Sequence, residues 1–489
     1  MSGVVASIEC MFDQEWRQAD DATVVSAIAE CARVEAATAA RRLAAIGEYV
    51  SRHADGPTDC AYWSCDNWDA MAAETAAAQG ISHAMASGQM YLAVALRDRL
   101  PQVAALFAAG TITARLASAI VWHTDLIKDP DTMRLVDTKL AEDAVHFGPM
   151  SVTKTAQAID AVVVQYDPGA LRRARDNARS REFVINQTGD TSGTAAVWGR
   201  LYATDAAVLD RRLSQMAYAV CQDDPRTLAQ RRADALGALG AGADWLACGC
   251  GNGDCPGGAA ADERAASVVI HVVADASAVN TDSKPAATAE RKPLAVVPGG
   301  CVIPPAFVAE LARAGAKVRP VRHPADAPPE SGYRPSAELE RFIRCRDMTC
   351  RFPDCDRPAE FADIDHTVPY PHGPTQASNL KCLCRKHHLL KTFWTGWRDQ
   401  QWSDGTIVWT SPTGHTYTTR PGSRLLFPAL CLPTGELPTP VKQYANPGNR
   451  GVMMPTRRRT REQDRARRID AERALNAARV AERNQPPPF

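Results

Sequence analysis

The sequence predicts a mainly α-helical N-terminal domain with minor β structure, followed by a smaller C-terminal α+β domain that is braced by zinc. Alanine-rich, amphipathic segments fill the first half of the chain, and two short-spaced pairs of cysteine and histidine ligands follow near the C-terminus. Because 489 residues are too many for one core, we expect several domains. The expected boundaries are a helical domain at 1–320, a linker at 321–340, the zinc-braced domain at 341–425 and an Arg-rich tail at 426–489.

Local signals predict the elements of the first domain. Residues suited to a helix N-terminus recur along it, namely Asp20, Asp21, Pro101, Asp129, Pro130 and Ser151. A β-hairpin is predicted where Phe183, Val184 and Ile185 precede a polar turn and a second apolar run at 195–201. Helices are expected again at 204–219 and 225–241, a short strand at 267–273, and linkers at 274–300 and 322–335.

Charge and composition limit the classes of function. The chain carries 56 basic and 56 acidic side chains, so contacts with nucleic acid must come from local clusters. Clusters of basic residues lie at 341–398 and at 450–483. The second cluster is expected to be either a solvated helix or a disordered tail. The N-terminus is a poor signal peptide, and no uninterrupted apolar run is long enough for a membrane span. The odd number of cysteines, 15, favours metal ligation in a reducing cytoplasm over a disulfide framework.

The spacing of Cys350, Cys355, Cys384 and His387 predicts a structural zinc site. Four residues separate the first pair, two separate the second, and about thirty lie between the pairs, which suits a closed tetrahedral site. Cys345 offers an alternative register with Cys350.

Residues between the two ligand pairs have the composition of a hydrolytic site. An alternating run at 363–366 favours a strand, a turn-rich loop follows, and 383–391 has helical propensity. A neutral histidine at a strand end can deprotonate water. A carboxylate and an imidazole on facing elements can hold one divalent cation beside a phosphate.

The pattern Cys-x4-Cys, Asp-His, Asn-Leu and Leu-Cys-x2-His-His-x2-Lys resembles the HNH endonuclease family, whose core is a ββα-metal fold. The resemblance implies hydrolysis of DNA phosphodiester bonds with Mg²⁺ or another divalent cation. It assigns the general base to His366, the metal ligands to Asp365 and His388, and the motif asparagine to Asn379. That asparagine fixes the loop and base in some members and touches the metal in others.

The sequence leaves open the roles of two adjacent histidines and the function of the zinc-braced domain. His387 and His388 are adjacent, so their roles could be exchanged, although side chains about 100° apart on a helix do not easily serve one metal. Two alternative functions would use the same zinc ligands: a domain that binds nucleic acid without cutting it, and a domain that binds a protein. Arg385, Lys386 and Lys391 either contact phosphates or are ordinary surface charges.

Two further features concern the first domain and the region after the zinc ligands. Leu100-Pro101, Phe107 to Gly110 and Arg231 to Leu236 resemble a bacterial domain of unknown function, of the type numbered 222, that precedes HNH cores. This resemblance covers roughly 20–320 and carries no activity.

Cys248, Cys250 and Cys255 form either a second zinc site, with Cys301 or His271 as fourth ligand, or a flexible loop with reduced thiols. Aromatic residues and turns at 394–417 predict a small packed sheet.

Overall fold

The computed structural model describes most of the chain. The described residues are 16, 19–53, 58–147, 150–171, 182–186, 195–201, 203–255, 257, 272–279, 294–297, 302–303, 308–309, 312, 316–325, 327–394, 396–437 and 453–483. His271, Cys301, most of the predicted strand at 267–273 and most of the predicted linker at 274–300 lie outside them.

Seven helices form the N-terminal helical domain. They are α1 (Asp21–Arg52), α2 (Asn67–Gln79), α3 (His83–Asp98), α4 (Pro101–Ala108), α5 (Ala114–Thr124), α6 (Pro130–Ala144) and α7 (Val152–Tyr166). The predicted caps are confirmed: Asp20, Asp129 and Ser151 each accept a backbone N–H of the first turn. One continuous apolar core, which includes Leu43, Met90, Phe107 and Leu140, holds these helices together.

Small residues let the helices approach closely. Gly110 has a φ of +72°, and a Cβ there would lie 2.5 Å from the carbonyl oxygen of Arg33 in α1. Only glycine fits this crossing, which fixes the turn between α4 and α5 against α1.

The next region contains smaller units. Strands β1 (Glu182–Asn186) and β2 (Ala196–Arg200) pair antiparallel, which confirms the two strands of the predicted hairpin. Helices α8 (Ala203–Ala219) and α9 (Leu228–Gly240) pack on each other through a separate small core. Three short strands, β3 (Val273–Ala274), β4 (Ala295–Val296) and β5 (Val302–Ile303), form one antiparallel sheet, and the single helical turn α10 (Ala276–Val279) follows β3.

The C-terminal unit has mixed α and β structure. Its elements are α11 (Ala337–Asp347), β6 (Ala362–His366), β7 (Leu380–Cys384), α12 (Arg385–Phe393), β8 (Arg398–Gln401), β9 (Ile407–Thr410) and β10 (Thr416–Thr419). Strands β6 and β7 pair antiparallel, with Asp365 opposite Lys381 and His366 opposite Leu380. The helix predicted from Leu383 therefore begins two residues later, at Arg385, because Leu380–Cys384 is fully buried as a strand against β6. The predicted small sheet is present as β8, β9 and β10.

The predicted linker at 321–340 is not a free tether. The backbone N–H of Glu330 donates to the carbonyl of Thr375 (2.9 Å), and Tyr370 donates its hydroxyl hydrogen to the carbonyl of Ser331 (3.3 Å). The segment is thereby held on the loop between β6 and β7, and α11 begins at Ala337, inside the range expected to be linker.

The Arg-rich tail forms helix α13 (Arg461–Arg483) and packs on the helical domain. Arg461 pairs with Asp66 and Asp69, and Arg473 pairs with Asp167 (2.8 Å). Of the two alternatives expected for this segment, a solvated helix or a disordered tail, the helix is present, and the pairing of its arginines with distant acidic residues was not expected. Among the described helices, none combines the length and the apolar character that crossing a bilayer requires.

Candidate active site

The four predicted zinc ligands converge in the structure. One ligand atom from each of Cys350, Cys355, Cys384 and His387 lies within 4.8 Å of the others, and we call this group the zinc frame. The Nδ1 atom of His387 lies 3.4 Å from Sγ of Cys384 and 3.6 Å from Sγ of Cys350. Hydrogen bonds from the neighbouring thiols of Cys350 and Cys355 lower the pKa of Cys384, which favours the thiolate that zinc binds.

The zinc frame settles which of the adjacent histidines belongs to it. His387 is buried and stacks on Phe352 with a centroid distance of 4.1 Å, whereas His388 faces the other side of α12. Cys345 is not part of the group, so the alternative register is wrong. These donors fit a closed, structural zinc site.

His366 is buried at the end of β6, with 6% of its surface exposed. Its Nε2 atom lies 2.9 Å from Oγ1 of Thr375, whose only hydroxyl hydrogen is donated to the carbonyl of Gly332 (2.6 Å). His366 must therefore donate from Nε2, which leaves the lone pair of the neutral ring on Nδ1. Burial lowers the pKa of His366, so this ring stays neutral at physiological pH.

Asp365 divides its two carboxylate oxygens between different partners. Oδ2 accepts from Lys391 (2.6 Å) and lies 3.0 Å from Nζ of Lys381, while Oδ1 lies 3.5 Å from Nε2 of His388. Burial alone would raise the pKa of Asp365, but the two lysine charges outweigh burial and hold it below the usual range. The carboxylate is therefore ionised, with Oδ1 directed at an imidazole nitrogen.

His388 has the tautomer that a metal ligand needs. Its Nδ1 atom lies 2.8 Å from Oδ2 of Asp363, so in the neutral ring the Nδ1 hydrogen points to that carboxylate and the lone pair is on Nε2. A carboxylate behind a ligating histidine is a common arrangement that fixes the ring. Oδ1 of Asp365 and Nε2 of His388 are thus two suitable donors for one divalent cation, at a separation that such a cation can bridge.

Asn379 organises the loop between β6 and β7. Its side chain is fully buried, accepts from the backbone N–H of Val368 (2.8 Å), and donates to the carbonyls of Val368 (3.0 Å) and Pro374 (2.8 Å). These bonds engage both ends of the amide, so the Asn379 side chain holds the backbone of the loop. Gly373 lies against it, since a Cβ there would be 2.6 Å from Nδ2 of Asn379.

The three residues expected to contact phosphates have different environments. Lys391 is largely buried and donates to Asp365 and to the carbonyl of His366 (2.8 Å), so its expected role at the surface is corrected to one of holding the strand end. Lys386 pairs with Asp69 of α2 (2.8 Å), although part of its side chain remains exposed. Arg385 is exposed and lies 3.3 Å from Asp363.

A cleft runs beside these groups. Arg334, Arg344, Arg385, Asp363 and His388 are among the residues that line it, and Tyr333 lies at its edge. The Tyr333 ring also stacks on His366 with a centroid distance of 5.3 Å. Three guanidinium groups in one cleft suit a phosphate backbone, and Tyr333 both lines this cleft and stacks on the buried histidine.

A buried ionic network that the sequence did not indicate supports the site. Asp347 lies between Arg346 (2.8 Å) and Arg351 (3.1 Å), and it accepts the backbone N–H of Cys382 (2.8 Å). Arg346 also donates to the carbonyls of Ala377 and Leu380, at the start of β7. Charged residues close together in a sequence usually lie at the surface, so the burial of these three side chains could not be read from the sequence.

The zinc-braced unit is docked on the helical domain through a shared core. Ala73 and Ala77 of α2 and the nearby Cys65 pack with Leu383, Leu389 and Trp397 of the C-terminal unit. Glu74 of α2 accepts the backbone N–H of Thr413 (3.1 Å), and Trp394 donates its indole N–H to the carbonyl of Cys65 (2.9 Å). The described residues of the two units therefore share one packed core and several hydrogen bonds.

The second cysteine cluster gains a ligand that sequence reasoning missed. Cys248, Cys250 and Cys255 lie together with Cys221, with one Sγ from each within 4.8 Å of the others. The signal for Cys221 was weak because 27 residues separate it from Cys248. The proposed fourth ligands Cys301 and His271 lie outside the described residues.

The described part of the chain is thus largely helical and carries two groups of possible metal ligands. The family model described as Domain of unknown function (DUF222) matches residues 30–347, and the chain belongs to this family. The match begins within α1, ten residues after the expected start at residue 20. It ends with α11 at residue 347, beyond the expected end at residue 320.

Similar proteins are found in Mycobacterium tuberculosis. The chain is 55% identical to "Uncharacterized protein Rv2100", with 100% of this chain and 95% of that protein covered. It is also 55% identical to "Uncharacterized protein Rv3776", with 97% and 93% covered. No solved structure matches the chain.

Proposed function

We propose that the protein is a metal-dependent endonuclease that hydrolyses DNA phosphodiester bonds at the C-terminal site. The observation that carries this proposal is the pairing of tautomers: the lone pair of His366 is on Nδ1, and that of His388 is on Nε2, facing an ionised Asp365. A base and a two-donor cation site, both at the end of β6, have the groups that phosphodiester hydrolysis requires.

Each side chain has a defined task in this proposal. Nδ1 of His366 accepts a proton from the attacking water, and Thr375 holds the ring in the correct tautomer. Asp365 and His388 hold a divalent cation, which when bound neutralises charge on the scissile phosphate. Lys381 and Lys391 keep Asp365 ionised, and the cleft arginines bind flanking phosphates. The zinc frame supports β7 and α12 from behind, as structural zinc does.

A plasmid-nicking assay with the full chain tests the proposal. With Mg²⁺ or Mn²⁺, the wild type is expected to convert supercoiled plasmid to nicked or linear DNA. Replacing the base, His366→Ala, should lower the rate by a factor of about 10² to 10⁴. His146→Ala is the matched control, because this exposed histidine lies at the end of α6, in the helical domain. Equal cutting by wild type and His366→Ala, or no cutting in several metals, would refute the catalytic role.

One observation favours a second candidate, a domain that binds nucleic acid without cutting it. Two ammonium groups already occupy Oδ2 of Asp365, and their positive charge opposes the binding of a cation next to it. This candidate predicts salt-dependent DNA binding by the wild type and by His366→Ala, with no nicking by either.

A further inference from the structure

We propose that Cys221, Cys248, Cys250 and Cys255 bind a second zinc ion, and that this ion is structural. The four sulfur atoms lie within 4.8 Å of one another, and those of Cys221 and Cys248 are 3.3 Å apart. A tetrahedral zinc with Zn–S distances of about 2.3 Å places its sulfur ligands roughly 3.8 Å apart, within this range. Four protein ligands leave no open position, which is typical of a structural centre and not of a catalytic one.

The backbone around the thiols is organised by contacts that do not involve them. Asp224 is buried, accepts the backbone N–H of Gly249 (2.8 Å) and pairs with Arg226 (2.7 Å). Arg226 also donates to the carbonyl of Ala247 (2.6 Å), directly before the first cysteine of the loop. These bonds hold the loop against the segment that follows Cys221, so the two sources of ligands face each other.

The loop itself is folded as a tight turn. Cys248 donates its backbone N–H to the carbonyl of Gly257 (2.8 Å), and Cys255 donates to that of Asn252 (3.1 Å). Gly251 has a φ of +72°, a conformation that side-chain-bearing residues rarely adopt. The turn thereby brings three cysteines of one short segment to the same side.

The unit formed by α8 and α9 also needs a stabilising cross-link. Among the described residues, its core consists of four buried apolar side chains, Met216, Val220, Ala235 and Leu246, with a few partly buried ones, and it is separate from the large helical core. A core of this size does not offset the conformational entropy of ordering two helices and a loop. Small units of this kind are usually stabilised by disulfides or by a structural metal. A zinc ion joining the end of α8 to the loop after α9 would close the unit at its open end.

The zinc content of the full chain, purified under reducing conditions, tests this assignment. The wild type is expected to hold two zinc ions, one in the zinc frame and one in the second centre, and Cys221→Ser is expected to hold one. Cys31→Ser, an exposed cysteine in α1, is the matched control and should keep two. Cys384→Ser should lose the other ion and keep the one at the second centre.

Cobalt substitution keeps the test decisive if Cys221→Ser fails to fold. Thiolate-to-cobalt charge-transfer absorption scales with the number of Co–S bonds, which is seven per chain for both centres and three for the zinc frame alone. Wild-type absorption equivalent to seven bonds supports the second centre. Absorption equivalent to three bonds, an unchanged zinc content in Cys221→Ser, or a disulfide between Cys221 and Cys248 that persists under reducing conditions would overturn it.

Discussion

The Nζ atom of Lys386 lies 2.8 Å from Oδ1 of Asp69 and joins α12 of the zinc-braced unit to α2 of the helical domain. The same carboxylate accepts from Arg461 of α13 (3.0 Å), and its Oδ1 atom lies 3.1 Å from Nε2 of His83. One buried aspartate therefore links the N-terminal helices, the candidate active site and the C-terminal helix. Burial alone would raise the pKa of Asp69, but these partners hold it below its usual range.

We expect Asp69→Asn to lower the free energy of unfolding at pH 7 by about 2 kcal/mol, because it removes the buried carboxylate that neutralises the partly exposed Lys386 and Arg461. Since the folded-state pKa is depressed, the contribution of Asp69 is present above the unfolded pKa of about 3.9 and is lost as the pH falls through the folded value. Urea unfolding at pH 7 and at pH 3 should therefore show a smaller difference between variant and wild type at the lower pH.

Asp98→Asn is the control for this substitution. Asp98 is exposed and pairs with its neighbour Arg97, so its removal should cost no more than about 1 kcal/mol at pH 7. Equal destabilisation by the two variants, or an Asp69→Asn difference that grows at low pH, would contradict the role assigned to Asp69.

The separation in sequence between two interacting residues decides whether their contact could be predicted. The caps at Asp20, Asp129 and Ser151 bind N–H groups three residues away, so a short window contains both partners. The zinc frame was predictable because each ligand pair is local. Asp69 and Lys386 are 317 residues apart, and neither residue type distinguishes a buried pair from two surface charges.

Periodicity predicted neither the strand β7 nor the packing of α13, although the resemblance implied a two-stranded core and a helix was one alternative for the tail. Strand β7 (Leu380–Cys384) is buried on both faces, and a short apolar run of this kind cannot be distinguished from a helix by periodicity. Helix α13 has the composition of a solvated segment, since the acidic residues that neutralise it, such as Asp66 and Asp167, come from distant helices.

Gly373→Ala should abolish nicking and destabilise the protein by about 2 kcal/mol, because a Cβ would lie 2.2 Å from the carbonyl oxygen of Val368 and 2.6 Å from Nδ2 of Asn379. The loop that holds His366 must then move, while the zinc frame keeps its ligands. Nicking rate, urea midpoint and zinc content measure the three effects. Gly237→Ala in α9 is the control, since no atom lies within 4 Å of its Cβ and alanine favours helix. Wild-type nicking by Gly373→Ala would show that the loop is not constrained.

Removal of zinc from the zinc frame should expose tryptophans. Trp397 and Trp409 are buried, and both contact Phe352, whose ring stacks on His387. A strong chelator, or Cys384→Ser, should therefore shift tryptophan emission to longer wavelength and lower the thermal midpoint by several degrees. Zinc, but not Mg²⁺, should reverse the effect of the chelator. Emission that is unchanged after complete zinc loss would mean that the core does not depend on the metal.

Tyr333→Ala should raise the nicking rate several-fold, because the Tyr333 ring stacks on His366 and also lines the neighbouring cleft. His366 is only 6% exposed, and we expect the stacked Tyr333 ring to move aside before substrate reaches it. Removal of the ring eliminates that step without altering the hydrogen bond between His366 and Thr375. Tyr333→Phe keeps the stacked ring and should nick at the wild-type rate. Single-turnover rates at saturating DNA compare the three proteins. A lower rate for Tyr333→Ala than for Tyr333→Phe would mean that the ring orients the base instead of covering it.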